Sequence, residues 1–151
     1  MKRSYRNLAQ QYGVPWHGRR YDRSNPLAAD IPNQAINHAS VAVTSAAVIA
    51  VISVGAIPQL GFIHEHSGDA FALDIADLFR DTILLPAALK SAKAVIEDPT
   101  LDIERHTRRI TGEMLRTENV IPKMIDRIKV IFEGVEPISA ETPTEEHMEE
   151  E

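Results

Sequence analysis

Apolar positions along the chain recur at helical spacing and do not alternate over any useful length, so the pattern predicts an all-α domain. Tyr5, Leu8, Ala9 and Tyr12 form a first short stripe that Gly13 and Pro15 bring to a stop. Residues 13–33 hold Gly13, Pro15, Gly18, Pro26 and Pro32, too much punctuation for a regular element. They predict a loop carrying Trp16, Arg19, Arg20 and Tyr21. From Ala39 to Ile63 there is no charged residue, and small side chains occur on every side, which predicts a central, fully buried Ala-rich helix ending near Val54. About 20 apolar residues suffice to span a membrane. That reading is rejected because Ser40, Thr44, Ser45 and Ser53 interrupt the run and Gly55, Pro58, Gln59 and Gly61 close it.

Residues 71–96 predict one or two further helices, with Pro86 at a kink or in a first turn. Over 101–118, Leu101, Ile103, Ile110, Met114 and Leu115 are mixed with Arg105, Arg108, Arg109 and Arg116, which predicts a helix with a basic face. Pro122 opens a last amphipathic helix, expected to turn Met124, Ile125, Ile128, Ile131 and Phe132 inward and to end at Gly134. No internal repeat occurs.

At 151 residues the chain has the size of one ordinary domain and can form a core without disulfides, and it has no cysteine. No basic segment followed by an apolar stretch opens it, so a cytoplasmic location is expected. The formal charge of −6 conceals an asymmetry: EPISAETPTEEHMEEE, residues 136–151, contributes −7 and leaves residues 1–135 at +1. The expected organisation is a helical domain over 1–135 and a disordered acidic tail over 136–151. Lys2, Arg3, Arg6, Arg19, Arg20 and Arg23 face only Asp22 near the start, a footprint suited to phosphate backbones and also to a plain solvated face. Arginines mixed with aromatic residues on a loop can grip phosphates and stack on bases, or a lone Trp can anchor its loop to the core.

The candidate chemistry lies in GFIHEHSGDAFALDIADLFR, residues 61–80, where His64 precedes an Asp74-x-x-Asp77 pair embedded in apolar sequence. Helix positions three apart share a face, so both carboxylates can aim at one point, with His64 folded back to it through the loop containing Gly68. Two hard oxygens and an imidazole suit Mg²⁺ or Mn²⁺ better than zinc. The aspartates can equally cap or form salt bridges, for example Asp77 to Arg80 at i+3, and His64 can be an ordinary loop histidine. Glu65 and His66 are further candidate ligands, for which solvent exposure is the plainer reading. Against a purely structural role stands the cost of burying unpaired carboxylates.

This segment resembles the signature of the CRISPR-associated spacer-acquisition integrase, the Cas endonuclease of the adaptation step, in its type I-E subgroup. The likeness runs over most of residues 3–133. It takes in the Tyr5 to Tyr12 helix, YGVPWHGRRYD at 12–22, Asp30-x-x-Asn33-Gln34, GAIPQLGFIH and the DIADLFR helix. The resemblance implies the helical C-terminal domain of a metal-dependent DNA nuclease and integrase that joins protospacer 3′-hydroxyl ends to the CRISPR repeat. It implies His64 and Asp77 as ligands of Mg²⁺ or Mn²⁺, Asp74 as a neighbouring catalytic carboxylate, and Arg19, Arg20 and Tyr21 as DNA contacts. A small ferredoxin-like Cas partner and a homo-oligomer are implied as well.

The family's first metal ligand, a glutamate in a Glu-Gly pair just upstream of KRSYRNLA, and its N-terminal β domain are not in the chain. Thr44 stands where the subgroup usually has tyrosine, and Glu65-His66 replaces a common Thr-Gly. Two functions are therefore expected to compete: a metal-dependent endonuclease and integrase domain, weakened by the lost carboxylate, and a noncatalytic DNA-binding or assembly module. A folded but inactive relic is a third reading. Loss of the β domain is also expected to expose apolar surface that favours self-association.

Overall fold

The protein is represented by a computed structural model that describes residues 2–20, 29–64 and 67–134. The acidic segment 136–151, Tyr21, Glu65 and His66 lie outside the described residues. Six α-helices and one π-helical turn make up the described chain, and among these residues there is no strand. The helices are α1 (Lys2–Gln11), α2 (Ile31–Ser53), α3 (Ala70–Leu78), α4 (Leu85–Glu97), α5 (Ile103–Thr117) and α6 (Val120–Phe132), with the π-turn over Arg80–Leu84.

Helix α2 is the axis of the fold and packs against α3, α4, α5 and α6, while α1 lies on α4. Its start is well specified: the Asp30 side chain caps Asn33 N–H and Pro32 occupies the first turn. Ala35, Ala39, Ala47 and Ala50 of α2 and Ala87, Ala88 and Ala92 of α4 have no exposed surface. Alanine at these positions lets helix backbones approach closely, and Phe71, Ile75, Leu85, Leu89, Met124 and Ile128 fill the remaining space. Trp16 stacks on Tyr5, with ring centroids 5.5 Å apart, and so anchors the loop after α1 to the core.

Two expectations about burial need correction. α2 has the length and hydropathy of a membrane span, but it is a core helix, apolar on all sides, that leaves one side exposed rather than a fully buried one. Its neighbours cover three sides, and the fourth exposes Val41, Ser45, Ile49 and Ile52 at helical spacing. On α6, Met124 and Ile128 are buried, whereas Ile131 and Phe132 are exposed on one side, with Phe132 keeping an edge-to-face contact to Phe71 of α3 at a ring-centroid distance of 5.8 Å.

The 71–96 region is divided by the π-turn. Phe79 O accepts from both Ile83 N–H and Leu84 N–H, which inserts an extra residue between α3 and α4. Such insertions change the direction of a helix and recur near functional sites. Pro86 sits in the first turn of α4, immediately after the π-turn, whose last hydrogen bond runs from Leu85 N–H to Arg80 O.

Candidate functional site

The loop between α2 and α3 is folded onto the start of α3. Phe71 N–H donates to Pro58 O at 2.7 Å, which ties α3 to the loop just ahead of Gly61. A Cβ on Gly61 would lie 2.4 Å from His64 O and 2.7 Å from Ala70 Cβ. Only glycine allows this turn to close. The signal was present in the sequence as Leu60-Gly61-Phe62, but spacing alone does not distinguish a tight approach from an ordinary loop glycine.

The closed turn aims three backbone amides at one carboxylate. Asp74 Oδ2 accepts from Phe62 N–H at 2.6 Å and Ile63 N–H at 3.0 Å, and Oδ1 accepts from His64 N–H at 3.2 Å. The His64 ring completes the set, with Nδ1 2.6 Å from Asp74 Oδ1. Burial pushes the Asp74 carboxyl up, but hydrogen bonds from the Ile63 amide, the His64 ring and the Phe62 and His64 amides outweigh it. The net effect holds the group below its ordinary value, as an ionised acceptor. An ionised carboxylate can only accept, so Nδ1 carries a proton, and it is Nε2 that the neutral ring would offer to a ligand. The Asp74 side chain is 8% exposed and that of His64 38%, so the buried carboxylate holds a half-open imidazole.

Asp77 is placed differently. One turn beyond Asp74, it forms an ion pair with Arg80 in the first position of the π-turn, which is the salt-bridge alternative that spacing left open. Among the described residues no group of three His, Cys, Asp or Glu side chains converges. His64 and Asp74 are joined, and Asp77 is engaged by a cation. The same π-turn is fastened to α1, because Ser4 Oγ donates to Asp81 Oδ2 at 2.6 Å.

Arg19 and Arg20 are held by buried Asn33, and Tyr21 lies outside the described residues. Asn33 Oδ1 accepts from Arg19 Nη1 and from Arg20 N–H, each at 3.0 Å. Its Nδ2 donates to Gly18 O at 3.0 Å and to Asp30 Oδ1 at 2.7 Å. Arg19 Nη2 also donates to Asn37 at 2.7 Å. The Arg19 guanidinium therefore clamps the loop to the start of α2, while Arg20 is exposed beside it. On α5, Arg105, Arg108, Arg109 and Arg116 are exposed as the sequence pattern predicts, with Arg108 paired to Glu104 at 2.8 Å.

No protein-family model matches the chain. CRISPR-associated endonuclease Cas1 2 of Thermus thermophilus is 33% identical over 146 residues, which cover 97% of this chain and 44% of that protein. CRISPR-associated endonuclease Cas1 of Escherichia coli is 30% identical over 132 residues, 87% of this chain and 42% of that protein. In three dimensions the chain is similar to the crystal structure of a TtCas1–DNA complex, with a TM-score of 0.81, 34% identity, and coverage of 89% of this chain and 49% of that one. The chain spans less than half the length of the curated relatives it matches. Along most of its own length, this chain is a homologue of the CRISPR-associated endonuclease Cas1 proteins, corresponding to their helical C-terminal part.

Proposed function

We propose that the chain is the helical domain of a divalent-metal-dependent DNA endonuclease and integrase of CRISPR spacer acquisition, with His64 and Asp77 holding Mg²⁺ or Mn²⁺. The observation that carries this reading is the Asp74–His64 pair. An aspartate that fixes the ring tautomer through Nδ1 and leaves Nε2 open is the support a metal-ligating histidine needs. Asp74 is then a positioning residue, with its lone pairs taken up by the loop and the ring. Asp77 becomes a ligand by exchanging Arg80 for the ion.

The donors suit a hard ion in part: one imidazole nitrogen and one carboxylate. Such an ion, when bound, neutralises charge on a phosphate oxygen and activates water or a hydroxyl. Arg20 and the exposed arginines of α5 would lie along the DNA backbone. Similarity to a Cas1 crystallised with DNA supports DNA as the ligand. The type I-E assignment, the small ferredoxin-like Cas partner and self-association belong to the same proposal and rest on the motif resemblance.

The ion pair between Asp77 and Arg80, together with the small donor set, favours a second reading: a noncatalytic DNA-binding or assembly module. The two separate in one experiment. Mn²⁺ is titrated calorimetrically into the chain and into Asp77→Ala, and both are then tested for plasmid nicking. Saturable binding and nicking that disappear in Asp77→Ala support the nuclease. DNA affinity that falls with salt, survives Asp77→Ala and weakens in Arg20→Ala, without any nicking, supports the module.

A further inference from the structure

The exposed arginines of α5 are not scattered over the helix. At about 100° per residue, Arg105, Arg109 and Arg116 lie within about 40° of one line and follow it for about 16 Å. Gly112 stands on the same line between Arg109 and Arg116, and a Cβ there meets nothing within 4 Å, so the row is open along its length. Arg108, to one side, is paired with Glu104, and Arg109 approaches Glu113 at 3.9 Å. Arg105 and Arg116 form no ion pair with any carboxylate among the described residues. The cations of α6 are instead interleaved with acid: Lys123 approaches Glu118 at 3.7 Å, and Asp126 and Glu133 flank Arg127 and Lys129.

We infer that the row formed by Arg105, Arg109 and Arg116 is the docking surface for this chain's own acidic segment, residues 136–151, which occupies it in competition with DNA. Charge and length select the occupant. The segment carries seven glutamates and no lysine or arginine, and its covalent link to the same chain keeps it at high local concentration. α6 is 13 residues long, about 20 Å, and Arg116 lies beside the elbow where α6 begins. The residues 135–145 can span up to about 36 Å, more than the return along α6 requires. Stretched out, Glu145, Glu146, Glu149, Glu150 and Glu151 cover about 20 Å, which matches the length of the row. Gly134, with a φ of 86°, gives the chain a turn off the end of α6 at the point where this return must start. The competition rests on the DNA-acting reading above, whereas the docking does not.

The test follows the arginine Nε–Hε NMR signals of the full chain and of a full-length variant carrying Glu145→Gln, Glu146→Gln, Glu149→Gln, Glu150→Gln and Glu151→Gln. Neutralising these glutamates is expected to shift the signals of Arg105, Arg109 and Arg116 and to leave those of Arg20 and Arg127 in place. The synthetic peptide EPISAETPTEEHMEEE, titrated into the neutralised chain at low salt, should return the three signals toward their wild-type positions. It should bind about tenfold more weakly when the neutralised chain also carries Arg105→Gln/Arg116→Gln, since two of its three cations are gone. In fluorescence anisotropy the neutralised chain should hold a labelled DNA duplex about tenfold more tightly than the wild type at about 50 mM salt, with the difference closing as salt rises. Signals of the row that do not respond to neutralisation overturn the docking and leave the DNA-acting reading standing. Equal shifts at Arg20, Arg127 and the row reduce the segment to a diffuse countercharge and overturn the docking as well. Shifts that grow with protein concentration place the segment on a neighbouring copy and overturn the intramolecular contact. Shifts confined to the row, in chains that have no affinity for the duplex, uphold the docking and overturn the DNA-acting reading.

Discussion

Asp74 and His64, ten positions apart, are joined through a 2.6 Å contact between Oδ1 and Nδ1, while the backbone amides of Phe62, Ile63 and His64 itself donate to the same carboxylate. Loop geometry and ring orientation thus depend on one side chain. Asp74→Asn replaces part of an ionised acceptor with an NH₂ group that faces other donors, and is expected to cost about 2–3 kcal/mol. Thermal denaturation measures the cost. Mn²⁺ calorimetry should show weaker binding in Asp74→Asn even at temperatures where the variant is folded.

The same carboxylate makes stability depend on acid. Its folded pKa is lowered, so its contribution is fully present above the ordinary aspartate range and is lost as pH falls through the folded value. Below the ordinary range the wild type should lose its advantage over Asp74→Asn, and the two melting curves should converge. A difference that stays constant down to the lowest pH tolerated would show that the hydrogen bonds do not favour the ionised form.

Gly61 is expected to tolerate no side chain. A methyl group placed 2.4 Å from the His64 carbonyl must push the turn off α3, at about 1–3 kcal/mol. Gly61→Ala should therefore combine a modest drop in melting temperature with a larger loss of Mn²⁺ binding, since the displaced segment carries His64. Gly68→Ala is the matched control, because a Cβ there meets open space. Equal effects from the two substitutions would refute the steric argument.

Asn33 is expected to govern the basic loop. Asn33→Ala leaves the Arg20 amide and the Gly18 carbonyl without their side-chain partner and removes one of two donors to Asp30 Oδ1, at about 2–3 kcal/mol. Trypsin should then cut after Arg19 and Arg20 much faster than in the wild type under native conditions. Unchanged proteolysis would mean that the Arg19 bond to Asn37 suffices to hold the loop.

Arg80 is expected to oppose metal binding. It pairs with Asp77 and must be displaced before the carboxylate can hold an ion. Arg80→Gln should tighten Mn²⁺ binding several-fold in calorimetry. Weaker or unchanged binding would count against Asp77 as a ligand.

Much of this protein was legible in its sequence because the relevant signals are local. Helical periodicity and the stops at Gly13 and Gly134 depend on residues within a turn or two of one another. The predicted all-α order of elements therefore appears in the structure. The spacing of His64, Asp74 and Asp77 also marked the segment that holds Asp74, the one buried charged side chain among the described residues. Tertiary structure alone decided which partners those groups take. Asp74 turned to the loop and not to Asp77, Asp77 took Arg80, and Arg19 folded back onto Asn33 and Asn37. Burial followed the same logic: α2 is apolar all round, but its exposed side depends on where α3 to α6 can pack. A hydrogen-bond donor or a neighbouring helix is chosen by proximity in space, and periodicity records only proximity along the chain.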